Sequence, residues 1–228
     1  MNKYIVLKKI SKNYFSKNRI KALSNINLNF QTGKIYSITG PSGSGKSTLL
    51  NILSLIDKPS SGQFFFENKE IDFQKKDEND NIRSNKIGII YQSYNLLPDF
   101  TALENVSLSG LASGKSLKNS ESEAKKIISS LGLLKRSHHY PSELSGGENQ
   151  RIAIARALIN QPKIILADEP TGNLDYFAAK KVFKILLNLK KTNRIIVFAT
   201  HNREFAKLSD CKIDMIDGKI KSVNDKFK

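Results

Sequence analysis

The stretch GPSGSGKST, at 40–48, has residue types at a spacing that could bind a polyphosphate. Glycines in such a loop let backbone N–H groups converge on phosphate oxygens, and the helix that follows points its positive N-terminus at them. Lys46 supplies a point charge for the β- and γ-phosphates, and Ser47 offers its hydroxyl to Mg²⁺. A plain glycine turn is the alternative. We predict a polyphosphate site formed by Gly40, Ser42, Gly43, Ser44, Gly45, Lys46, Ser47 and Thr48, of which Ser47 is also a ligand of Mg²⁺.

Two carboxylates end an apolar run in KIILADEP, at 163–170. A phosphate site of this kind needs an acid on a neighbouring strand to hold Mg²⁺, and Asp168 suits that position. Hydrolysis also needs a group that orients and deprotonates a water at the γ-phosphate, which Glu169 could do one residue further along. Either acid could instead cap a helix or lie on the surface. Their position beside a complete phosphate loop favours the metal and base roles.

Two more polar residues follow apolar runs. His201 ends FATH, and we expect it to hydrogen-bond the γ-phosphate and so position the attacking water. A lone histidine is more often structural, but this one emerges from a strand end that should face the same phosphates. Gln92 follows KIGIIY, and its amide could reach Mg²⁺ or the water.

A second glycine turn occurs in LSGGENQR, at 144–151, without a phosphate-binding lysine. Ser145 is a predicted helix N-cap, and Glu148 three residues later completes a capping box. Gly146 and Gly147 leave backbone N–H groups open to approach, so this turn is a candidate second anion site. A routine capped helix is the alternative. A second cradle makes sense if it closes over the γ-phosphate of another subunit.

The elements that must position these residues can be read from apolar patterns. Near-continuous apolar runs are typical of parallel strands that helices cover on both faces, and ligands gather at the carboxyl ends of such strands. Four runs fit, at 34–39, 86–92, 163–168 and 194–200. Together they predict a parallel sheet whose edge carries the phosphate loop, Gln92, the two carboxylates and His201.

Other segments have different patterns. Apolar and polar residues alternate in the first 30 residues and in 62–71, which is typical of an antiparallel sheet. Asp217-Gly218, between apolar residues, predicts a hairpin. The segment 120–134 predicts a helix with Ala124, Ile127, Ile128 and Leu131 on one face. The charged stretch QKKDENDN, at 74–81, is interpreted as a solvated loop.

Composition restricts the function classes. The net charge of +16 would suit nucleic acid, an acidic membrane surface or phosphate ligands, but the basic residues are scattered and a general lysine bias explains them equally well. One cysteine excludes an internal disulfide, and together with three histidines it argues against structural zinc. We identify no signal peptide and no apolar run near the roughly 20 residues that span a bilayer. If membranes matter, another chain is expected to cross them.

The motifs GPSGSGKST, YQ, LSGGE, ILADEPTGNLD and FATH occur in the order found in ABC-type ATPases, and the chain resembles that family along its whole length. The family implies an α/β fold with a P-loop NTPase (RecA-like) core, an antiparallel β subdomain and a helical subdomain. We expect one domain, 1–228, with the core and β subdomain in 1–93 and 151–228 and the helical subdomain in 94–150. Glu148 with GNLD resembles the subgroup of macrolide and peptide exporters and lipoprotein-release complexes, although Asn149 departs from the usual Gln.

The resemblance also implies how the residues are used. Two such domains face head to tail, so that Ser145, Gly146 and Gly147 complete the partner's ATP site and Asp175 lies at the dimer seam. Tyr14 would stack on adenine, with Phe15 as the competing candidate. The helical segment would dock against a membrane-spanning permease subunit. Exposed-looking apolar residues in that segment are Leu96, Leu97 and Phe100.

The expected function is therefore that of an ATP-hydrolysing subunit, homodimeric with ATP, at the cytoplasmic face of the membrane. It would drive a separate permease that exports peptide, drug or lipid-linked cargo. The alternatives within the superfamily are cell-division signalling and action on nucleic acid. Nucleic-acid heads usually carry a long coiled coil between the two glycine turns, and no sustained heptads occur here, so we expect no direct nucleic-acid contact. A P-loop phosphotransferase and a regulatory ATP sensor are the remaining alternatives.

Overall fold

The computed structural model describes residues 3–15 and 19–226. In chain order the strands are β1 (Lys3–Phe15), β2 (Arg19–Gln31), β3 (Ile35–Thr39), β4 (Ser61–Phe66), β5 (Lys69–Glu70), β6 (Ile87–Ile90), β7 (Ile164–Asp168), β8 (Ile195–Ala199), β9 (Cys211–Ile216) and β10 (Lys219–Asp225). The α-helices are α1 (Lys46–Leu53), α2 (Lys76–Lys86), α3 (Ala102–Ala112), α4 (Leu117–Ser130), α5 (Gly146–Leu158), α6 (Tyr176–Leu189) and α7 (Arg203–Lys207).

The larger sheet has the strand order β10-β9-β3-β8-β7-β6. Its neighbours from β9 to β6 pair in parallel, and β10 pairs antiparallel with β9 at the edge. Alternate residues of β7 enter different cores, with Ile164 and Leu166 on the α1 side and Ile165 and Ala167 on the α6 side. Both faces are therefore buried, which explains why the strands are near-continuous apolar runs.

The smaller sheet has the order β2-β1-β4-β5 and is antiparallel throughout. Its inward residues, such as Leu7 on β1 and Phe64 on β4, share one core with Leu49 and Ile52 of α1. This helix is thus enclosed between the two sheets. Because α1 begins in the phosphate loop, the antiparallel sheet fixes the loop from one side.

A third core lies among the helices between β6 and β7. Val106 of α3, Ile128 of α4 and Ile152 of α5 are fully buried there. The α4 face predicted from the sequence is the packed face, since Ala124 and Ile128 are buried in this cluster. Together with the two sheets, these helices confirm the predicted fold class.

The interpretation of 74–81 as a loop was wrong, because α2 covers most of it. Only Asn79 of this helix is buried, and Ile82 packs partly against the main core. Asp77 and Glu78 lie in its first turn and Arg83 and Lys86 in its last, which suits the helix dipole. A helix stabilised by charge placement rather than by an apolar stripe has no strong periodic signal in the sequence.

The predicted hairpin joins β9 and β10 through Asp217 and Gly218, both with positive φ. A Cβ at Gly218 would approach the carbonyl oxygen of Ala22 to 2.6 Å, so the close packing of this turn on β2 requires glycine. None of the helices in the described ranges has both the length and the apolar character needed to cross a bilayer.

Candidate nucleotide-binding site

The phosphate loop connects β3 to α1. The N-cap of α1 is Gly45, which has a left-handed φ of 95° and makes no side-chain capping bond, so no side chain occupies the first backbone amides. A Cβ at Gly40 would lie 2.2 Å from the Met215 carbonyl oxygen, and one at Gly45 would lie 2.6 Å from that of Ala22. Strands β9 and β2 therefore hold the loop closely on both sides, in a form that only glycine allows.

The lysine of the loop is directed inwards. Lys46 is 7% exposed, and its ammonium donates to the carbonyl oxygens of Gly40 and Pro41, both at 2.9 Å. The ammonium thus lies across the concave side of the loop, where phosphate oxygens would be bound. Ser42, Gly43 and Ser47 are exposed there, whereas Thr48 is half-buried in the first turn of α1.

The loop also contains a buried hydroxyl that lacks a protein partner. Ser44 Oγ is buried and makes no hydrogen bond with any described residue. A buried polar group without a partner costs about 1–3 kcal/mol. A nucleotide phosphate on the loop would give this hydroxyl an acceptor, so the residues present fit ATP.

Tyr14 is held by a pair of charged residues. Its hydroxyl donates to Asp57 Oδ2 at 2.7 Å, and Lys12 Nζ lies 4.8 Å from the centre of its ring. Burial and the bond to Asp57 raise the pKa of Tyr14, against a lowering interaction with Thr48 of α1. Tyr14 thus contacts the helix that starts in the phosphate loop.

The ion pair behind Tyr14 is itself constrained. Lys12 Nζ donates to Asp57 and, at 2.8 Å, to the carbonyl oxygen of Lys58. Burial alone would raise the pKa of Asp57, but the hydrogen bonds from Lys12 and Tyr14 outweigh it and hold that pKa below its usual range. Neither Lys12 nor Asp57 was predicted from the sequence, because a residue that orients another side chain carries no motif of its own.

Strands β3, β8 and β7 lie side by side, so the residues that follow them meet at one edge of the sheet. Asp168 ends β7 opposite Ala199 of β8 and is half-buried. Glu169 follows with a positive φ of 46°, and its side chain accepts a hydrogen bond from the backbone N–H of His201 at 3.2 Å. The structure thus brings the predicted base and the predicted histidine into direct contact.

One oxygen of that base remains available. His201 Nε2 lies 3.3 Å from Glu169 Oε1, but this oxygen has no aligned hydrogen-bond donor among the described residues although it is buried. The His201 side chain is 54% exposed and the Glu169 side chain 16%. A buried carboxylate oxygen without a donor, beside an exposed imidazole, can accept a proton from a water that reaches the cleft.

Gln92 follows β6 at the same edge, two residues after the strand ends. Its amide does not point freely into the cleft, because Nε2 donates to Asn173 Oδ1 at 3.1 Å. Asn173 was missed as a functional candidate, although it lies inside the GNLD motif. Only its position two residues before Asp175 could have singled it out.

The second glycine turn forms as predicted at the start of α5. Ser145 Oγ accepts from the backbone N–H of Glu148, and the Glu148 carboxylate accepts from the N–H of Ser145, so the capping box is complete. The hydrogen bond from the Ser145 backbone is the main reason that the pKa of Glu148 lies below its usual range. Gly146 and Gly147 provide the remaining open N–H groups.

This turn lies in a cavity of its own. The cavity is lined by residues of α5 and of the 173–181 segment, and not by the phosphate loop. Asp175 lies here and caps α6 by accepting from the N–H groups of Phe177 and Ala178. The phosphate loop therefore does not line the cavity of the second glycine turn.

A divalent ion would have to be held mainly by non-carboxylate groups. In the described ranges, no cluster of three or more histidine, cysteine, aspartate and glutamate residues could hold a metal. Mg²⁺ commonly uses one or two carboxylates, waters and the phosphates of its substrate. The predicted set, a hydroxyl, an amide and one carboxylate from Ser47, Gln92 and Asp168, has the oxygen chemistry that fits this ion.

Comparison with known proteins decides the family. A family model described as "ABC transporter" matches residues 23–172. This chain belongs to the ABC transporter family. It is accordingly an ATPase coupled to transport, as the resemblance implied.

Individual relatives of this ABC ATPase cover nearly its whole length. It is 50% identical over 211 residues to the "Lipoprotein-releasing system ATP-binding protein LolD" of Rickettsia bellii, covering 92% of this chain and 93% of the relative. It is 44% identical over 214 residues to the LolD protein of Aquifex aeolicus, covering 94% and 93%. The predicted resemblance to the lipoprotein-release subgroup is thereby confirmed.

Solved structures agree with these relatives. An ATP-binding cassette in a dimeric post-hydrolysis state bound to ADP and Pi superposes on this ABC ATPase with a TM-score of 0.89 at 38% identity, covering 97% of this chain and 98% of that one. A second dimeric ABC transporter cassette gives 0.89 at 39% identity, with the same coverage.

Proposed function

We propose that two copies of this ATPase close head to tail on two ATP molecules, and that closure and reopening drive a membrane permease that releases lipoproteins. One observation carries the proposal: both glycine turns start helices, yet the cavity beside the second turn is not lined by any residue of the phosphate loop. A second copy would bring the turn to a phosphate that the first copy already binds. The dimeric relatives support this arrangement.

Each copy would contribute different groups to a composite site. The phosphate loop and Lys46 bind the polyphosphate, and Ser47, Gln92 and Asp168 hold Mg²⁺, which when bound neutralises charge on the phosphates. Glu169 accepts a proton from the attacking water at Oε1, while His201 hydrogen-bonds the γ-phosphate. The adenine stacks on Tyr14, which Asp57 and Lys12 hold in place.

The partner copy would contribute Ser145, Gly146 and Gly147. Their hydroxyl and amide donors reach only the outermost phosphate, so ATP would join the two copies and ADP would not. A difference of a few kcal/mol in closure changes the closed population by orders of magnitude. Binding and loss of one phosphate can therefore drive opening and closing.

An aromatic pair beside the turn supports the same interface. Phe177, 76% exposed, and Tyr176, 52% exposed, start α6 directly after Asp175, and Phe177 lines the cavity of the second glycine turn. A second copy seated over that cavity would remove this apolar surface from water. Asp175 would then lie at the seam.

The permease would dock on the other side of the helical segment. A groove between the parallel sheet and α3 is lined by Tyr91, Leu97, Asn105 and Arg156, and Leu97 and Phe100 are 46% and 38% exposed. Leu96 was expected to be exposed as well, but it packs partly into the helical core. We assign 94–150 as the docking subdomain and the cytoplasmic face of the membrane as the location. The names of the relatives support lipoprotein as the cargo class.

The closure is tested with Glu169→Gln. Removing the proton acceptor should lower turnover by at least about 10²-fold, with ATP binding intact, so the dimer should accumulate with ATP on a sizing column and not with ADP. A variant that binds ATP yet stays monomeric at high protein concentration would contradict the proposal.

The docking and cargo are tested separately. Leu97→Asp should reduce recovery of the permease with the ATPase in mild detergent, and Leu208→Asp, at another half-exposed leucine that directly follows α7, should not. A membrane partner with no lipoprotein-releasing activity in reconstituted vesicles would leave the ATPase assignment intact and overturn the cargo.

A further inference from the structure

Gln92 and Asn173 form a reciprocal amide pair. Gln92 Nε2 donates to Asn173 Oδ1 at 3.1 Å, and Asn173 Nδ2 donates to the backbone carbonyl oxygen of Gln92 at 3.2 Å. The pair joins the segment after β6 to the turn before Asp175, across 81 positions of sequence. Each amide therefore fixes the rotation of the other, because a flip of either would place two donors or two acceptors face to face.

The position of the Gln92 side chain also depends on Gly172, the residue before Asn173. A Cβ at Gly172 would lie 2.9 Å from Gln92 Nε2 and 3.2 Å from its Cδ. The glutamine side chain thus lies directly across the Gly172 backbone. The Gln92 amide is therefore held in two ways, by packing on the Gly172 backbone and by the hydrogen bond to Asn173.

The pairing selects one end of the Gln92 amide. Its nitrogen is committed to Asn173, which leaves the oxygen Oε1 as the end that can serve a cation. Mg²⁺ takes oxygen ligands at near-ideal octahedral positions and tolerates misplacement poorly. Groups that orient a metal ligand without touching the metal affect binding strongly, typically by 10–100-fold.

We propose that Asn173 is a positioning residue that turns the Gln92 amide so that Oε1 faces the Mg²⁺ site. The inference rests on the proposed function, in which Gln92 is a metal ligand. Since Asn173 precedes Asp175 by two residues, the same turn connects the metal ligand of one copy to the seam with the other. Substitution of Asn173 should therefore weaken metal binding directly, even where dimer closure does not occur.

The test measures Mn²⁺ binding to the full chain with ADP, by electron paramagnetic resonance, so that neither turnover nor closure contributes. Asn173→Ala should weaken Mn²⁺ binding about tenfold, while metal-free ADP binding stays at the wild-type value. Gly172→Ala should act in the same direction, since its methyl group displaces the amide. Asn224→Ala, at an exposed asparagine of β10, is the matched control and should change nothing.

A double-mutant cycle separates positioning from a general disturbance. If Asn173 acts through Gln92, Asn173→Ala should add nothing in a Gln92→Ala background. An additive loss of Mn²⁺ affinity in the double variant would overturn this inference and leave the metal role of Gln92 intact. The same conclusion would follow if Asn173→Ala bound Mn²⁺ like the wild type while Gln92→Ala bound it weakly. Wild-type affinity in Gln92→Ala would overturn the metal role of Gln92 and the inference with it.

Discussion

The molecule has two glycine turns at helix N-termini, and they differ in what their backbone amides are free to do. At α1 the cap is Gly45 in a left-handed conformation, with no side-chain bond to the first turn. At α5 the cap is Ser145 in an extended conformation. In its capping box, the backbone N–H groups of Ser145 and Glu148 already donate to side-chain oxygens. The first turn can therefore surround a polyphosphate, whereas the second can offer a hydroxyl and two amides to a single phosphate edge.

The surroundings differ in the same sense. The loop before α1 is held between β9 and β2 and encloses the Lys46 ammonium. The turn before α5 lies in an open cavity beside the exposed Phe177. The enclosed loop can bind a nucleotide within one chain, whereas the open turn leaves room for a phosphate that another copy binds. The predictions below test this difference, starting with the largest effect.

Lys46→Ala should abolish tight ATP binding, because the charge inside the loop is lost and the carbonyl oxygens of Gly40 and Pro41 remain without their donor. We expect affinity to fall at least about 100-fold, since hydrogen bonds to charged groups contribute roughly 1.5–3 kcal/mol each. Equilibrium binding of a fluorescent ATP analogue measures this. Undiminished affinity would remove the α1 turn from the nucleotide site.

Ser145→Arg should have the opposite profile. The phosphate loop is untouched, so ATP binding should stay within about twofold of wild type, but an arginine at the cap should keep this turn from contacting the γ-phosphate bound by the other copy and so abolish turnover. Binding and steady-state hydrolysis measured on the same preparation separate the two effects. Normal turnover would make the α5 turn an ordinary capped helix.

The sequence predicted the first turn more fully than the second, for a physical reason. The buried strands β3, β6, β7 and β8 and the loop after β3 are encoded locally, in apolar runs and fixed glycine spacing. The Ser145–Glu148 capping box is local too, and it was found. That Gln92 would bind Asn173, or that Asp57 would hold Tyr14, depends on how distant segments meet, so no local pattern indicates it. Helix α2 was missed because it buries almost no apolar side chain.

Phe177→Asp should weaken ATP-driven dimerisation of the Glu169→Gln chain by about 10-fold or more, since burying a charge without a partner is costly. Phe177→Leu is the matched control and should retain most of the dimer. Analytical ultracentrifugation with ATP measures both. If the aspartate variant dimerises like its parent, the apolar surface beside the second turn is not part of the seam.

Glu148→Gln should have the smallest effect. Glutamine can keep the capping box, so turnover should stay near the wild-type rate, and only the charge at the helix N-terminus and the contact with Arg136 are lost. We expect a destabilisation below about 1 kcal/mol at neutral pH. Because the pKa of Glu148 is lowered by folding, this difference should shrink as the pH falls below about 4. Thermal unfolding of both proteins from pH 7 to pH 3 measures it.

The most direct measurement mixes two inactive chains, Lys46→Ala and Ser145→Arg, and follows ATP hydrolysis. In a mixed dimer, the intact phosphate loop of the Ser145→Arg chain faces the intact turn of the Lys46→Ala chain, so one composite site is whole. We predict that the mixture hydrolyses ATP well above the sum of the two separate proteins. No recovery in the mixture, with folding and Ser145→Arg nucleotide binding intact, would contradict a site shared between two copies.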